Sequence, residues 1–114
     1  RAYYQNRLDA SPYRPAIGTL ISRAEPGARV IVGDQEAFDA VYAFLQRRYD
    51  LASVQTDWWY PDWEPRLARA AEGHAQVWVY ARSDSPLHTW LADRYPARAS
   101  YDIDGWQLSG RDTP

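Results

Sequence analysis

The chain has no cysteine, no methionine and no lysine; all 13 of its basic residues are arginine. Without cysteine there is no disulfide framework, no thiol nucleophile and no thiolate metal site. The absence of lysine, beside abundant alanine, reads as the coding bias of a GC-rich genome and carries no functional weight. Without methionine, Arg1 is not a natural start, so the chain is expected to be a piece of a longer one, with room upstream for a targeting or membrane segment. Within it no apolar stretch approaches the ~20 residues needed to span a bilayer, and no signal peptide is visible. The net charge of −2 and the lack of any basic run argue against a nucleic-acid partner. No Gly-x-Gly-x-x-Gly or Gly-Lys-Ser/Thr follows the first strand, which argues against dinucleotide or nucleoside-triphosphate binding. A Gly-x-Ser-x-Gly elbow is also missing, so a serine hydrolase is poorly supported. No cofactor is implied.

At 114 residues, 46% hydrophobic and 25% charged, the chain has the composition and size of one globular domain with one core. Its organising stretch is Ala28–Arg29–Val30–Ile31–Val32–Gly33–Asp34. Three β-branched residues between Pro26–Gly27 and Gly33–Asp34 read as a short strand buried on both faces. Before it, Ile17, Leu20, Ile21 and Ala24 repeat with helical spacing, with the start placed near Tyr13 because Pro15 fits only a first turn. After it, Asp34 is placed to cap a helix carrying Phe38, Val41, Tyr42, Leu45 and Tyr49 on one stripe, with Arg47–Arg48 at its C-terminal end. Leu51–Val54 reads as a second strand, Leu67–Glu72 as a short helix ending at Gly73, and Gln76–Ala81 as a third strand. Ser85–Pro86 opens a further helix. Ala99, Tyr101 and Ile103 alternate with polar residues in a strand with one wetter face. Asp104–Gly105 then signals a hairpin returning through Trp106 and Leu108.

This order predicts an α/β fold, a Rossmann-like three-layer αβα sandwich. Its mostly parallel five-stranded sheet is expected in the order 2-1-3-4-5, ending in a C-terminal antiparallel hairpin. Residues 1–10 read as a leading segment or linker, 11–110 as the single domain and 111–114 as a tail.

Open parallel sheets bind ligands at the C-terminal ends of their strands. Asp34 lies there, and so do Arg82 and Asp84 after the third strand. Asp34 has a sufficient structural duty as a helix cap, however. The loop Asp57–Trp58–Trp59–Tyr60–Pro61–Asp62–Trp63 has two readings. Flat aromatic faces beside carboxylates suit sugar recognition, since rings stack on sugar C–H faces and carboxylates accept from hydroxyls. Alternatively, Trp58 and Trp63 pack under the next helix while Asp62 caps it. The candidate ligand-binding residues are therefore Asp34, Asp57, Trp58, Trp59, Tyr60, Asp62, Trp63, Arg82 and Asp84. His74 and His88 stand alone, without a partner at metal-ligand spacing. Asp102–Ile103–Asp104 resembles a metal-holding Asp-x-Asp, but its second aspartate is already explained by the hairpin turn. No catalytic residue and no metal site is assigned.

Tyr3–Tyr4, a polar helix with Arg14 and Ile17–Gly18–Thr19–Leu20–Ile21, then Pro26–Gly27 and Val30–Ile31–Val32, together resemble one stretch of polyprenyl-phosphate-dependent glycosyltransferases. That stretch follows the last transmembrane helix of these membrane enzymes, which include protein O-mannosyltransferase-like and aminoarabinose-transferase-like members. Val77–Trp78–Val79 matches a strand of the same pattern, and the resemblance runs from about Tyr3 to Leu108. It implies a non-catalytic extracytoplasmic domain on a bacterial membrane, covalently continuous with a transmembrane part. Such a domain is expected to help bind acceptor or polyprenyl-phosphate sugar while the catalytic aspartate sits elsewhere in the parent. The alternative is a structural or interaction module of α/β fold with no ligand of its own.

Overall fold

The computed structural model describes residues 11–113. Helices and strands alternate as α1 (Arg14–Arg23), β1 (Arg29–Val32), α2 (Gln35–Leu45), β2 (Asp50–Ser53), α3 (Trp63–Ala71), β3 (Gln76–Arg82) and α4 (Pro86–Arg94), before β4 (Ala97–Ile103) and β5 (Trp106–Asp112). The fold is mixed α/β around an open five-stranded sheet. Residues 1–10, read as a leading segment, lie outside the described residues. None of the described helices is long and apolar enough to cross a membrane.

Strand periodicity explains the core. Val30, Val32, Trp78, Tyr80 and Leu108 face one way, onto Ala16, Ile17 and Leu20 of α1 and Ala37, Val41 and Leu45 of α2. Ile31, Val77, Val79 and Ala81 face the other way, onto Leu67 and Ala71 of α3 and Leu87, Trp90 and Leu91 of α4. Positions buried on both faces favour apolar side chains, which is why Val30–Val32 of β1 and Val77–Ala81 of β3 are continuous hydrophobic runs. Burying each large aliphatic side chain contributes about 1.5–3 kcal/mol.

The observed strand order is β2-β1-β3-β5-β4, not 2-1-3-4-5. β1 pairs in parallel with β2 and β3, whereas β5 pairs antiparallel with both β3 and β4. The exchange has a physical cause. β4 alternates exposed and half-buried residues, whereas Leu108, Ser109 and Gly110 of β5 are buried. The wetter strand takes the edge and the drier one the interior. In the turn between them, Asp104 and Gly105 have φ of 49° and 80°, the left-handed conformation an Asp–Gly hairpin supplies at low cost.

Several boundaries differ from the sequence reading. Helix α2 ends at Leu45, so Tyr49 is not part of its stripe. Tyr49 is instead buried beyond it, its hydroxyl donating towards the carbonyls of Leu20 (2.7 Å) and Ala24 (3.1 Å) at the end of α1. Arg48 turns to the Tyr49 hydroxyl and the Ile21 carbonyl, and does not cap α2. Arg111 and Asp112 belong to β5, where a loose end was expected.

Candidate functional site

At the C-terminal ends of β1, β2 and β3 lies a cleft of about 400 Å³, lined by Gly33, Asp34, Gln55, Thr56, Asp57, Ala81, Arg82, Asp84, Ser85 and Pro86. Four of the residues singled out from sequence, Asp34, Asp57, Arg82 and Asp84, meet there. Local structure fixes each one. Gly33 closes β1 because a side chain there would meet Ala81 Cβ at 2.7 Å, so β1 and β3 converge on the cleft floor. Asp34 caps α2, accepting from the Ala37 N–H at 2.9 Å. Ser85 does the same for α4, accepting from the Leu87 N–H at 3.2 Å.

Asp34 is therefore committed to its helix, as its position after β1 suggested. Asp57, Asp84 and Arg82 are not committed. Among the described residues their side chains make no hydrogen bond or ion pair; the Arg82 guanidinium lies over the Trp106 ring, 5.2 Å from its centroid. Two carboxylates and a guanidinium with free hydrogen-bonding capacity thus surround one space.

The aromatic loop leaves the cleft at Thr56–Asp57. Trp58 is 85% exposed and Trp59 56% exposed, which overturns the packing of Trp58 under the following helix. Trp63, the first residue of α3, is the tryptophan of this stretch that packs, partly buried, against the core cluster containing Leu67 and Ala71. Trp58 and Trp59 sit edge to face with centroids 5.2 Å apart, and Tyr60 follows at 6.2 Å from Trp59. Tyr60 lines a smaller depression with Gln35, Ser53, Gln55 and Arg66, and Gln55 joins that depression to the cleft. Asp62 occupies the N-cap position of α3 but makes no capping hydrogen bond; its carboxylate faces Arg66 at 3.9 Å. The structure thus joins Asp34, Asp57, Arg82 and Asp84, places Trp58, Trp59 and Tyr60 on the adjoining loop, and assigns Trp63 and Asp62 to the support of α3.

Gln55, Thr56 and Ser85 were missed as lining residues, although their position just after strand ends was a usable signal. Tyr13, Tyr80 and Trp106 were missed as well. Tyr80 and Trp106 centroids are 4.9 Å apart, and Tyr13 approaches both. Burial pushes the Tyr80 phenol up to about 12, with Tyr13 and Asp104 adding to the effect. Burial likewise raises Tyr13, reinforced by the carboxylates of Glu36 and Asp34. Both hydroxyls stay protonated at neutral pH.

A second depression, about 410 Å³, lies at the opposite end of the sheet, lined by Glu72, Gly73, His74, Tyr95 and Thr113 among others. Its polar groups are already spent on one another. His74 bonds the Glu72 carbonyl and the Asp50 carboxylate, both at 2.9 Å, and the Thr113 hydroxyl donates to the His74 carbonyl. That hydrogen bond to His74 holds the Asp50 carboxyl below its ordinary value. The region closes the fold and offers a ligand little. His88 is also structural. Its Nε2 faces the Ala81 carbonyl at 3.2 Å and so carries the proton, leaving Nδ1 to accept from the Ser109 hydroxyl at 2.9 Å. Asp104 occupies the hairpin turn and Asp102 is exposed on β4. Among the described residues no three potential metal-ligating side chains come together.

No protein-family model, curated protein or solved structure matches this chain.

Proposed function

We propose that this domain binds carbohydrate across the cleft and the adjoining aromatic loop. The observation that carries the reading is the exposed Trp58–Trp59 pair beside a cleft whose Asp57, Arg82 and Asp84 side chains are unpaired. Keeping large apolar rings in water forgoes burial worth about 1.5–3 kcal/mol for each large side chain, a cost that ligand contact offsets. Sugar rings present C–H faces for the indoles and hydroxyls for the carboxylates and the guanidinium. Among the described residues of the cleft no nucleophile stands hydrogen-bonded to a base, and the role read here is binding.

On this reading the fold is a Rossmann-like three-layer sandwich, supported by the pair of helices packed on each face. The chain is the extracytoplasmic domain of a membrane glycosyltransferase that takes its sugar from a polyprenyl-phosphate carrier. The domain's part is to hold acceptor or carrier near the transmembrane portion. What supports this is the helix-then-strand opening and the Val77–Trp78–Val79 strand. Hydropathy of the coding region upstream of Arg1 tests the parentage: several spans of ~20 apolar residues support it, and a wholly polar upstream region rejects it.

The binding reading is tested by titrating the domain with cellotetraose, chitotetraose and β-1,4-mannotetraose, following tryptophan fluorescence and the indole N–H signals by NMR. Trp58→Ala is expected to weaken binding about threefold to tenfold without lowering the melting temperature. No response to any of the three rejects the reading. A second reading, an interaction module, is favoured by the same outward-facing pair. It predicts that Trp58→Ala disturbs assembly with the neighbouring part of the protein and leaves sugar affinity untouched.

A further inference from the structure

We infer that Trp106 is the positioning residue of the cleft, holding the Arg82 guanidinium in place as its hydrogen-bond donor. The identity of the ligand rests on the carbohydrate reading above; the coupling of the two side chains does not. Arg82 and Trp106 are directly opposed across the β3–β5 ladder, so the guanidinium settles on the indole 5.2 Å from its centroid. Two neighbours fix the indole in turn. Tyr80 lies against it at 4.9 Å, Tyr13 meets it at 5.9 Å and 68°, and Tyr13 also meets Tyr80 edge-on at 6.3 Å. The hairpin tip is tied to the same point, since the Gly105 carbonyl accepts from the Ser83 N–H at 3.0 Å.

Asp34, Asp57 and Asp84 line the cleft with Arg82, yet the guanidinium pairs with none of them and rests on the ring. An arginine free in water carries about 2 kcal/mol of rotamer entropy, much of which is lost on ligand contact. The stack removes part of that cost beforehand. It also leaves the five N–H donors unspent, a fork that fits adjacent hydroxyl oxygens of a sugar. Three carboxylates against one guanidinium make the cleft unfavourable to an acidic sugar, so the ligand that fits is neutral.

The test compares wild type, Trp106→Leu, Trp106→Phe, Arg82→Gln and the Trp106→Leu/Arg82→Gln double variant. Without ligand, the Arg82 δ-methylene protons are expected to be shifted upfield by the indole ring current, and Trp106→Leu abolishes the shift. With β-1,4-mannotetraose, Trp106→Leu is expected to weaken binding about twofold to fivefold, in line with an exposed cation–π contact. Arg82→Gln weakens it at least as much, the double variant no further, and Trp106→Phe, which keeps a ring, retains most of the affinity. An unshifted Arg82 in the wild type overturns the inference, as does an undiminished effect of Trp106→Leu in the Arg82→Gln background. Tighter binding of β-1,4-tetramannuronate than of mannotetraose overturns the charge argument. A wild type that shows the ring-current shift but binds no mannotetraose counts against the carbohydrate reading and supports the pairing of Trp106 with Arg82.

Discussion

Gly110→Ala places a methyl group against the Trp78 ring, which is buried and held in place. Trp78 and Gly110 are paired across the β3–β5 ladder, and the indole lies directly over the glycine. A Cβ at position 110 would sit 2.6 Å from Cε2 and Cζ2 of that ring and 2.7 Å from Cδ2. The ring is fully buried, its Nε1 donates to Gln76 Oε1 at 2.7 Å, and Tyr101 stacks near it at 6.5 Å and 15°. Relieving the overlap means breaking that hydrogen bond or shifting β5 away from β3. Overpacking of this kind costs about 1–3 kcal/mol, and the locked ring places it at the upper end. Replacing glycine within a strand returns roughly 0.5–1 kcal/mol. A net loss of about 2 kcal/mol, or about 8 °C in melting temperature for a domain of this size, is expected. Urea and thermal denaturation followed by circular dichroism measure it. Trp78→Phe should relieve most of the added cost in the double mutant, a coupling that a double-mutant cycle reads directly. Gly18→Ala is the control: it lies within α1, nothing comes within 4 Å of the added carbon, and a gain of about 1 kcal/mol is expected. If Gly110→Ala matches wild type, or if Trp78→Phe gives no relief, the close approach of ring and backbone does not hold.

Burial holds His88 below its ordinary value of about 6.5. The unfolded chain therefore takes up a proton that the folded one refuses. The contribution to stability is full above about pH 6.5 and is lost as pH falls through the folded-state value. Urea unfolding at pH 7.5 and 5.5 should show a drop that His88→Gln removes, and a drop of equal size in the variant would reject this assignment. Asp34→Ala should cost about 1 kcal/mol by removing the α2 cap, and Asp34→Asn much less. Equal losses for the two substitutions would show that the cap is not what Asp34 contributes.

Much of the fold is legible in the chain because local chemistry decides it. The β1 run, the Asp34 and Ser85 caps, the Pro86 helix start and the Asp104–Gly105 hairpin all follow from residues within a few positions of each other. Strand order is different, since it depends on how β4 and β5 compete for β3. The decisive signs were present but oblique: β4 alternates wet and dry residues, and β5 carries the glycine that accepts Trp78. The cleft was legible to the same degree as the fold. Arg82 ends β3 and Asp34, Asp57 and Asp84 follow strand ends, and a parallel sheet collects such residues on one edge. Trp106 reaches that edge only because β5 lies next to β3, so no reading with β4 in that place could have found it. The aromatic loop escaped for another reason. Whether a tryptophan in a loop is buried depends on how many rings the space under the next helix can hold. Trp63 packs, partly buried, against the core there, and Trp58 and Trp59 are left in water. Trp63 packs against the core as the first residue of α3, a placement set by the helix and not by the loop's own sequence, while Trp58 and Trp59 ahead of it stay exposed.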